Sequence, residues 1–490
     1  MKKIVSLLLC LALLLGCLGG LAAGTPVTWL TPGDTAAEVI EDDDRIVAAI
    51  NEKLGIELTV QYVPEGNVEK VNVAMASGDM PDIVTGSYGS SATNSWIENG
   101  MLVSLNEYAE SLPSLASWLE TYTWSAENGV YYGMPFITQY SAANALIIMR
   151  QDWLDQLGLQ YPATLEEMAQ VLHAFTYDDP DGDGQDNTYG FTAEKPVGNF
   201  NWVFYAYGRQ YSDYSLDAEG SVVPFFETDC FIPGMTYIKA LWDDGVIDPE
   251  FLLNDGSKVE EKFYQGKVGS MIRALYRHVS RHENNLKAIF PDGELAWGLP
   301  PKGPDGSFGV SAQGRSGMFT AITVASKAPD KAAAFLDFMV SPEGNDLLRL
   351  GIEGIHYTVD GDTITFNEEE RAKDAFSPNG WAHALAWGSL YWPLESHYLP
   401  VTEPNRDRAL QSVELATEAQ VPSLIKHVTK GEAEYSSMLN DIYNQYFLDM
   451  LQGDISIEDG TQQLIADWYS QGGDEMLVDL NAVYQASLAG

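Results

Sequence analysis

The sequence predicts an α/β protein that contains at least two units of β-sheet covered by helices. Three observations carry this prediction. The chain has 490 residues, of which 45% are apolar, enough for two or three domains at roughly 150 residues each. Strand-like and helix-like apolar patterns alternate in residues 26–84. A second alternation of the same kind begins near Ala145.

In the first unit, segments in which apolar residues recur at every second position alternate with segments in which they recur at about every fourth position. Its predicted strands are residues 26–30, residues 56–60 and a run that begins at 81–84. Its predicted helices are residues 44–54, which end at Gly55, and residues 68–77. A β-α-β-α-β order favours a parallel sheet. Ligands bind beyond the carboxyl ends of such strands, so the polar loop predicted at residues 85–95, and Tyr88 within it, is a candidate pocket wall or an ordinary surface loop.

The second unit is predicted to begin with a strand at residues 145–149 and a short helix that ends at Gly158. Thr164 is a candidate N-cap of the next helix, with Glu167 as its capping-box partner. Further on, the apolar run at residues 319–324 predicts a strand that returns to the first sheet, and residues 331–340 predict an amphipathic helix. From about Asp407 the pattern predicts several long helices.

The amino-terminal residues 1–23 have the pattern of a signal peptide. Lys2 and Lys3 precede an apolar run at residues 4–15, which is too short to span a bilayer, so we expect an extracytoplasmic protein. Cleavage before Cys17 would leave a lipidated cysteine, whereas cleavage at the small residues near Ala23 would leave no anchor; both remain open. Cys230 is then the one cysteine of the body, which excludes an intramolecular disulfide and cysteine-based zinc sites.

The charge of the chain narrows the range of partners. It has 27 Lys and Arg against 70 Asp and Glu, for a formal net charge of −43. This balance disfavours nucleic acid and anionic membrane surfaces. Contact with a membrane is therefore expected only through a lipid anchor at Cys17.

Six segments, taken together and in this order, resemble the family 1 extracellular solute-binding proteins, the group that contains maltose-binding protein. They are residues 75–84 (MASGDMPDIV), 148–158 continuing into 162–168, 179–184 with 188–190, 265–271 (QGKVGSM), 325–329 with 341–344, and 351–357 (GIEGIHY). The chain is most similar in character to the longer subgroup that takes up oligosaccharides, which includes alginate-binding proteins and many lipoproteins.

The resemblance implies the type II periplasmic-binding-protein fold, in which two α/β lobes close on a hinge around a solute. The implied amino-terminal lobe is residues 25–140 plus 318–370, and the implied carboxy-terminal lobe is residues 145–312 plus 375–490. It also implies an oligosaccharide or related sugar in the cleft, the membrane permease of an ABC importer as partner, and a monomer.

An acidic run resembles the start of an EF-hand loop, in which alternate carboxylates supply oxygen ligands and a glycine at the sixth position permits a sharp turn. The predicted Ca²⁺ ligands are Asp179, Asp181, Asp183, Gln185 through its backbone carbonyl, and Asn187. The twelfth position is Gly190 rather than Glu, so Asp186 or another residue would complete the site. The resemblance to alginate-binding proteins favours calcium in a structural role; the alternative is an acidic turn.

Aromatic residues make up 11% of the chain, and flat aromatic surfaces beside a few polar groups suit sugars. By analogy with the family, the loop after residue 84 and the segment after residue 271 face the cleft. The candidate ligand contacts are Tyr88, Trp202, Tyr205, Arg273, Tyr276, Trp387 and Trp392. Packing in the core is the alternative for each, and Trp202 and Tyr205, three residues apart, would share one helix face in either case.

Two other function classes were weighed. The chain has no HExxH, GxSxG or Walker A motif, so an enzyme such as a glycoside hydrolase is disfavoured. A peptide or amino-acid carrier would need an Arg for the carboxylate; Arg273 or Arg277 could serve, or could bind an acidic sugar. Aromatic content and the resemblance favour an oligosaccharide.

Overall fold

The computed structural model describes residues 24–33, 43–64, 68–122, 125–127, 129–136, 145–194, 197–274, 278–311, 318–361, 363–376, 382–387, 405–425 and 427–489. Within these residues, every helix is too short or too polar to cross a lipid bilayer.

The strands and helices alternate along much of the chain. The strands are β1 (Thr25–Gly33), β2 (Ile56–Pro64), β3 (Ile83–Ser87), β4 (Met134–Phe136), β5 (Ala145–Arg150), β6 (Tyr189–Phe191), β7 (Ser215–Leu216), β8 (Val222–Val223), β9 (Val268–Ala274), β10 (Leu295–Trp297), β11 (Val310–Ser311), β12 (Met318–Ile322), β13 (Tyr357–Asp360), β14 (Thr363–Phe366) and β15 (Gln420–Val421). The helices are α1 (Arg45–Leu54), α2 (Val68–Ser77), α3 (Ser91–Glu98), α4 (Asn106–Ala109), α5 (Pro113–Thr121), α6 (Gln151–Leu157), α7 (Leu165–Tyr177), α8 (Asn201–Ala206), α9 (Phe231–Asp243), α10 (Gly256–Tyr264), α11 (Asn284–Ile289), α12 (Pro329–Met339), α13 (Pro342–Arg349), α14 (Glu368–Lys373), α15 (Asn405–Ala419), α16 (Lys430–Gln452), α17 (Ile457–Trp468) and α18 (Asp474–Ala489).

The first lobe is built on a five-stranded sheet in the order β2-β1-β3-β12-β4. Strands β2, β1 and β3 are parallel, whereas β12 runs antiparallel to β3 and β4. Neighbouring residues of β1 enter different cores: Trp29 packs with α1 and α12, and Leu30 packs with α2 and α3. Both faces of β1 are therefore buried, whereas β2 at the edge of the sheet alternates between the buried Ile56 and Leu58 and the exposed Glu57 and Thr59.

Helix α1 shows how the sequence sets the ends of these elements. The Asp44 carboxylate accepts hydrogen bonds from the backbone N–H groups of Ile46 and Val47, a typical N-cap. Gly55 ends the helix with φ 63°, a left-handed conformation that glycine adopts without strain.

The loop predicted at residues 85–95 is wrong in its extent. Strand β3 continues to Ser87, and α3 begins at Ser91, because the Ser90 hydroxyl caps the helix by accepting from the Thr93 N–H. The polar residues are therefore the end of a strand, a tight turn at Tyr88 and Gly89, and the first turn of a helix. This arrangement aims the turn out of the carboxyl edge of the sheet.

The second lobe contains a four-stranded sheet in the order β10-β5-β9-β6. Strand β5 is antiparallel to both β10 and β9, and β6 is parallel to β9. Ile147 and Met149 face a large core that also contains residues of α7, α9 and α16 to α18, whereas Ile148 faces a smaller core under α10. The Thr164 hydroxyl caps α7, but the Glu167 carboxylate accepts from the Ala163 N–H rather than from Thr164.

The sheets show where the chain passes between the lobes. Strands β4 and β5, and likewise β11 and β12, lie in different sheets. Beyond the boundary expected at residues 370–375, Phe376, Ala382, Leu385 and Ala386 pack in the same core as Trp29. Residues of α15 pack with Leu146 of β5, and residues of α16 to α18 pack with Ile147 and Met149 of the same strand.

Candidate solute-binding cleft

A cavity of about 960 Å³ lies between the two lobes. Its wall on the first lobe is the turn between β3 and α3, residues 87–91. Its wall on the second lobe includes Asn201 at the start of α8, Arg209, residues 213–214, residues 224–226, the first half of α16 and Trp468 at the end of α17. The volume falls within the range of sites that enclose small ligands. We call this cavity the cleft.

Aromatic rings form one wall of the cleft. Phe226 stacks on Tyr443 with ring centroids 6.0 Å apart and an interplanar angle of 15°, and meets the edge of Trp468 at 5.7 Å. Phe225 meets Tyr443 edge-on at 5.7 Å. All four rings line the cleft. Phe225, Phe226 and Trp468 are only 9%, 4% and 4% exposed and belong to the buried core of the second lobe. They therefore reach the cleft with a small part of their surface, and their mutual packing fixes their orientation.

Arg209 holds this aromatic wall in place. Its guanidinium lies 3.8 Å from the centroid of the Phe225 ring, an arrangement that favours the ring's orientation. The same group donates hydrogen bonds to the backbone carbonyls of Tyr211, Ser212 and Asp213 and to the side-chain oxygen of Asn201. Arg209 is 7% exposed, so its charge serves mainly to position the loop and the ring.

The remaining wall is rich in small polar groups. Hydroxyls and amides at the rim come from Ser87, Ser90, Ser91, Asn201, Ser436, Ser437, Asn440 and Asn444. Such groups both donate and accept hydrogen bonds, as sugar hydroxyls do. An apolar aromatic wall opposite a rim of hydroxyls and amides is suited to a polyhydroxy ligand.

The lobes touch beside the cleft, around a smaller cavity of about 300 Å³. The Lys430 ammonium at the start of α16 lies 3.1 Å from the Glu98 carboxylate and 3.5 Å from that of Glu127, both on the first lobe. Gly89 meets Val428 so closely that a Cβ atom on Gly89 would lie 2.9 Å from the Val428 Cβ.

Tyr88 lines both the cleft and the smaller cavity. Its ring packs on Phe319 of β12 with centroids 6.0 Å apart. Burial, together with the nearby Glu127 carboxylate, raises the pKa of the Tyr88 hydroxyl above its ordinary value.

Trp202 and Tyr205 share one buried helix face of α8. Trp202 is 3% exposed and packs against Tyr237, and Tyr205 is 1% exposed. The Tyr205 hydroxyl forms a 2.7 Å hydrogen bond with the Ser311 hydroxyl. Tyr205 joins α8 to β11 and Trp202 joins α8 to α9, and neither ring is among the residues that line the cleft.

Arg273 lies at the end of β9, where its guanidinium is already paired. It lies 3.3 Å from the Glu194 carboxylate and 3.2 Å from that of Glu260, and donates to the backbone carbonyl of Gly256 at 2.6 Å. Two carboxylates and a carbonyl around a buried guanidinium form a structural ion-pair network.

Tyr276 and Trp392 lie outside the described residues. Trp387 ends a short 3₁₀ segment, Ala384–Trp387, whose Leu385 and Ala386 pack in the first lobe; the Trp387 side chain lies outside the described part. Of the seven candidates, Tyr88 is the one that the structure brings to the cleft within the described residues.

The aromatic wall and Arg209 were missed from the sequence. Phe225 and Phe226 precede a helix and have the pattern of core residues, and Trp468 is the last residue of α17. One signal was present: Ser436, Asn440 and Asn444 recur at a helical spacing and give α16 a polar uncharged face.

The predicted metal loop lies between α7 and β6. One carboxylate oxygen from each of Asp179, Asp181 and Asp183 falls within 4.8 Å of the others. Asp179 has φ 51°, and its carboxylate accepts from the Gly184 N–H at 3.1 Å. Burial raises the pKa of Asp181, as do the neighbouring carboxylates of Asp183 and Asp179. A cation would relieve this repulsion, and three converging carboxylates fit a hard divalent ion.

The structure also explains the missing twelfth ligand. Gly190 lies in β6 against α7, and a Cβ atom there would lie 2.5 Å from the Leu172 carbonyl oxygen. A glutamate cannot fit at this position. The Asn187 side chain donates to Asp183 at 3.0 Å, and the Gln185 carbonyl accepts from the Asn187 N–H, so the loop is closed by its own hydrogen bonds.

Two sheet-and-helix lobes with crossovers between them and a cavity at their junction define a two-lobed binding protein of the type II periplasmic-binding-protein fold. The chain belongs to the bacterial extracellular solute-binding protein family, whose model matches residues 29–346. The expected fold and family are thereby confirmed. Family membership identifies the protein as a carrier of solutes and not an enzyme.

Two relatives are from Bacillus subtilis (strain 168). Lipoprotein LipO is 27% identical over 470 residues, which cover 91% of this chain and 90% of LipO. The polygalacturonan/rhamnogalacturonan-binding protein YtcQ is 28% identical over 468 residues, 90% of this chain and 88% of YtcQ.

Among solved structures, the alginate-binding protein AlgQ2 without calcium ion has a TM-score of 0.74 at 19% identity, with 95% of this chain and 99% of AlgQ2 covered. The S. pneumoniae ABC-transporter substrate-binding protein FusA in complex with kestose has a TM-score of 0.73 at 20% identity, covering 95% of this chain and all (100%) of FusA. These likenesses show the fold.

Proposed function

We propose that the protein is the extracytoplasmic substrate-binding subunit of an ABC importer and that it delivers an oligosaccharide or related sugar to the membrane permease. The observation that carries this proposal is the cleft of about 960 Å³, with four aromatic rings on one wall and serine and asparagine side chains around its rim. Two relatives, YtcQ and FusA, have names or structures that refer to saccharide binding, which supports the same class of ligand.

The mechanism follows from the position of the cleft. The β3–α3 turn belongs to one lobe and the aromatic wall to the other, so a ligand that contacts both favours the closed arrangement. A ligand shifts such an equilibrium only by its extra affinity for the closed form. The permease would then recognise the closed protein, which we propose acts as a monomer.

A thermal-shift screen of the protein without its leader tests the proposed function. A ligand stabilises the folded state by RT ln(1 + [L]/Kd), so a true solute raises Tm in proportion to the logarithm of its concentration. Mono- and oligosaccharides are compared with short peptides and amino acids. Phe226→Ala should abolish the shift, whereas Ile289→Ala, an exposed apolar residue on α11 outside the cleft wall, should leave it unchanged. A shift with peptides alone would contradict the proposal.

The loop of Asp179, Asp181 and Asp183 is proposed to bind a structural Ca²⁺. Gln185 through its carbonyl, and Asn187, would complete part of the shell. When bound, the ion would offset the repulsion among the three carboxylates and fix the connection between α7 and β6. It would take no part in ligand recognition, so its effect is expected on stability.

Cys17 and the other leader residues lie outside the described residues. We propose that the mature protein is either anchored through a lipid at Cys17 or released without one, and mass spectrometry of the mature amino terminus separates the two. A relative, LipO, is called a lipoprotein, which supports the anchor. A chain that begins near Gly24 would exclude it.

A further inference from the structure

We infer that the cleft selects uncharged saccharides and rejects uronate-containing ones, an inference that rests on the proposed function. From the sequence alone an acidic sugar remained possible, because Arg273 could have bound its carboxylate. This inference excludes that class of ligand. It also separates this chain from a relative such as YtcQ, whose name refers to polygalacturonan. The charges that line the cleft, and the partners that already pair with them, support this inference.

The charged groups of the described cleft wall are one guanidinium, Arg209, and three carboxylates, Asp213, Glu432 and Asp441. The wall is therefore net negative. The whole chain adds to this potential with a formal net charge of −43. A carboxylate on the ligand would enter a field of its own sign, and like charges in a partly enclosed site repel strongly.

The guanidinium of Arg209 is committed to the protein. Four hydrogen bonds bind it to three backbone carbonyls and to Asn201, and its face lies against Phe225. Recognition of a uronate by arginine uses two parallel N–H groups. Such a contact here would require breaking bonds that shape the aromatic wall.

Two of the carboxylates are also engaged within the second lobe. Asp213 accepts from the backbone N–H groups of Leu424 and Ile425. Glu432 accepts from the Tyr214 hydroxyl and from the Thr429 N–H. These bonds occupy oxygens of both carboxylates and fix the two groups in the wall.

Asp441 differs from these two because its side chain lies on the exposed part of α16 at the cleft. It is placed to accept hydrogen bonds from sugar hydroxyls and to repel a ligand carboxylate. Asp441 is thus the specificity-determining residue of the inference. Ser437, Asn440 and Asn444 lie beside it on the same helix and offer neutral partners for the same hydroxyls.

The test compares matched pairs of trisaccharides that differ only in the C6 carboxylate: galactotriose with trigalacturonate, mannotriose with trimannuronate, and cellotriose with triglucuronate. Calorimetric titration gives Kd for each with the full mature protein. In every pair that binds, the neutral member should bind about tenfold tighter or more at low salt. Added salt should narrow the gap, because it screens charge repulsion.

The substitution Asp441→Lys should reduce the preference for the neutral member at least severalfold. Glu434→Lys makes the same charge change at an exposed position of α16 outside the cleft wall and should leave the preference nearly unchanged. Equal effects of the two variants would overturn the role of Asp441. Tighter binding of the acidic members by the unmodified protein would overturn the inference while leaving the proposed function intact. If no saccharide of either kind binds, both fail.

Discussion

The ammonium group of Lys430 lies 3.1 Å from the carboxylate of Glu98, and this ion pair joins the two lobes. Lys430 begins α16, the helix whose first half lies in the cleft wall, and Glu98 ends α3, the helix that follows the cleft turn. Both side chains are largely exposed, at 64% and 60%. The pair therefore adds little to folding stability, but it can exist only when the lobes are in this arrangement.

Removing this pair should weaken ligand binding modestly. Lys430→Gln or Glu98→Gln should each raise Kd about two- to fivefold, the range for an exposed ion pair, because the closed arrangement loses an attraction that the open one lacks. Calorimetry with the bound saccharide measures the change, and the effect should shrink at high salt. The double variant should lose no more than Lys430→Gln alone, which removes the pairs with both Glu98 and Glu127.

A matched control is Lys373→Gln, which removes an exposed pair with Glu370 inside the first lobe and should leave Kd unchanged. Additive losses in the Lys430 and Glu98 double variant would show that the two groups do not interact during closure.

The close contact of Gly89 with Val428 predicts a second effect on closure. Gly89 has φ 70°, so Gly89→Ala should cost about 1 kcal/mol of folding stability from backbone strain alone. Its new Cβ would also lie 2.9 Å from the Val428 Cβ on the other lobe. We expect Kd to rise at least about tenfold, since closure would force these atoms together.

Gly100→Ala separates strain from contact. Gly100 has φ 64°, and a Cβ atom there would have no neighbour within 4 Å. It should lose similar stability in urea denaturation but keep its affinity. If both variants lose affinity equally, the Gly89 contact has no part in closure.

Calcium should stabilise the protein through the acidic loop. Addition of Ca²⁺ to metal-free protein should raise Tm by RT ln(1 + [Ca²⁺]/Kd) converted to temperature, and EDTA should reverse the change. Asp181→Asn should abolish the response, and it should slightly stabilise the metal-free protein, because it removes the Asp181 charge that is repelled by Asp183 and Asp179. Glu219→Gln, at an exposed turn, is the control. If neither Ca²⁺ nor EDTA changes the Tm of the unmodified protein, the loop does not bind calcium and is only an acidic turn.

Particular residues show how much of the structure could be predicted from the sequence. Local signals located the elements well: Asp44 and Gly55 set the ends of α1, and the three aspartates converge as their spacing predicts. The ligand contacts were harder, because a buried aromatic and a cleft aromatic have the same local pattern. Trp202 and Phe226 are both buried in the same core, but Phe226 also lines the cleft and Trp202 does not, and only the tertiary packing of α8, α16 and α17 distinguishes them. Arg273 was a candidate ligand contact from the sequence, but the carboxylates of Glu194 and Glu260, which lie in distant segments of the chain, form ion pairs with it.

Acid should destabilise the protein partly through His278. This side chain is fully buried, and its Nε2–H donates to the Arg273 carbonyl at 2.9 Å. Burial lowers the pKa of His278 to about 4, against about 6.5 in an unfolded chain. Between these values the unfolded state binds a proton that the folded state does not. The contribution of His278 to the free energy of unfolding is therefore complete above pH 6.5. Below pH 6.5 it decreases by up to about 1.4 kcal/mol for each pH unit toward pH 4.

His278→Gln keeps an N–H donor for the Arg273 carbonyl but removes the titration. Urea unfolding at pH 7.5 and pH 5 should show a smaller loss of stability in this variant than in the unmodified protein, by roughly 1 to 2 kcal/mol. The measurements stop at pH 5, because stronger acid also protonates carboxylates whose pKa is lowered in the folded protein, such as Glu283 and Asp374. Their protonation would destabilise the protein as well. His173→Gln, an exposed residue paired with Asp244, should keep the original pH dependence. If His278→Gln keeps it as well, then His278 must take up its proton in the folded state, which its burial against Trp297 opposes.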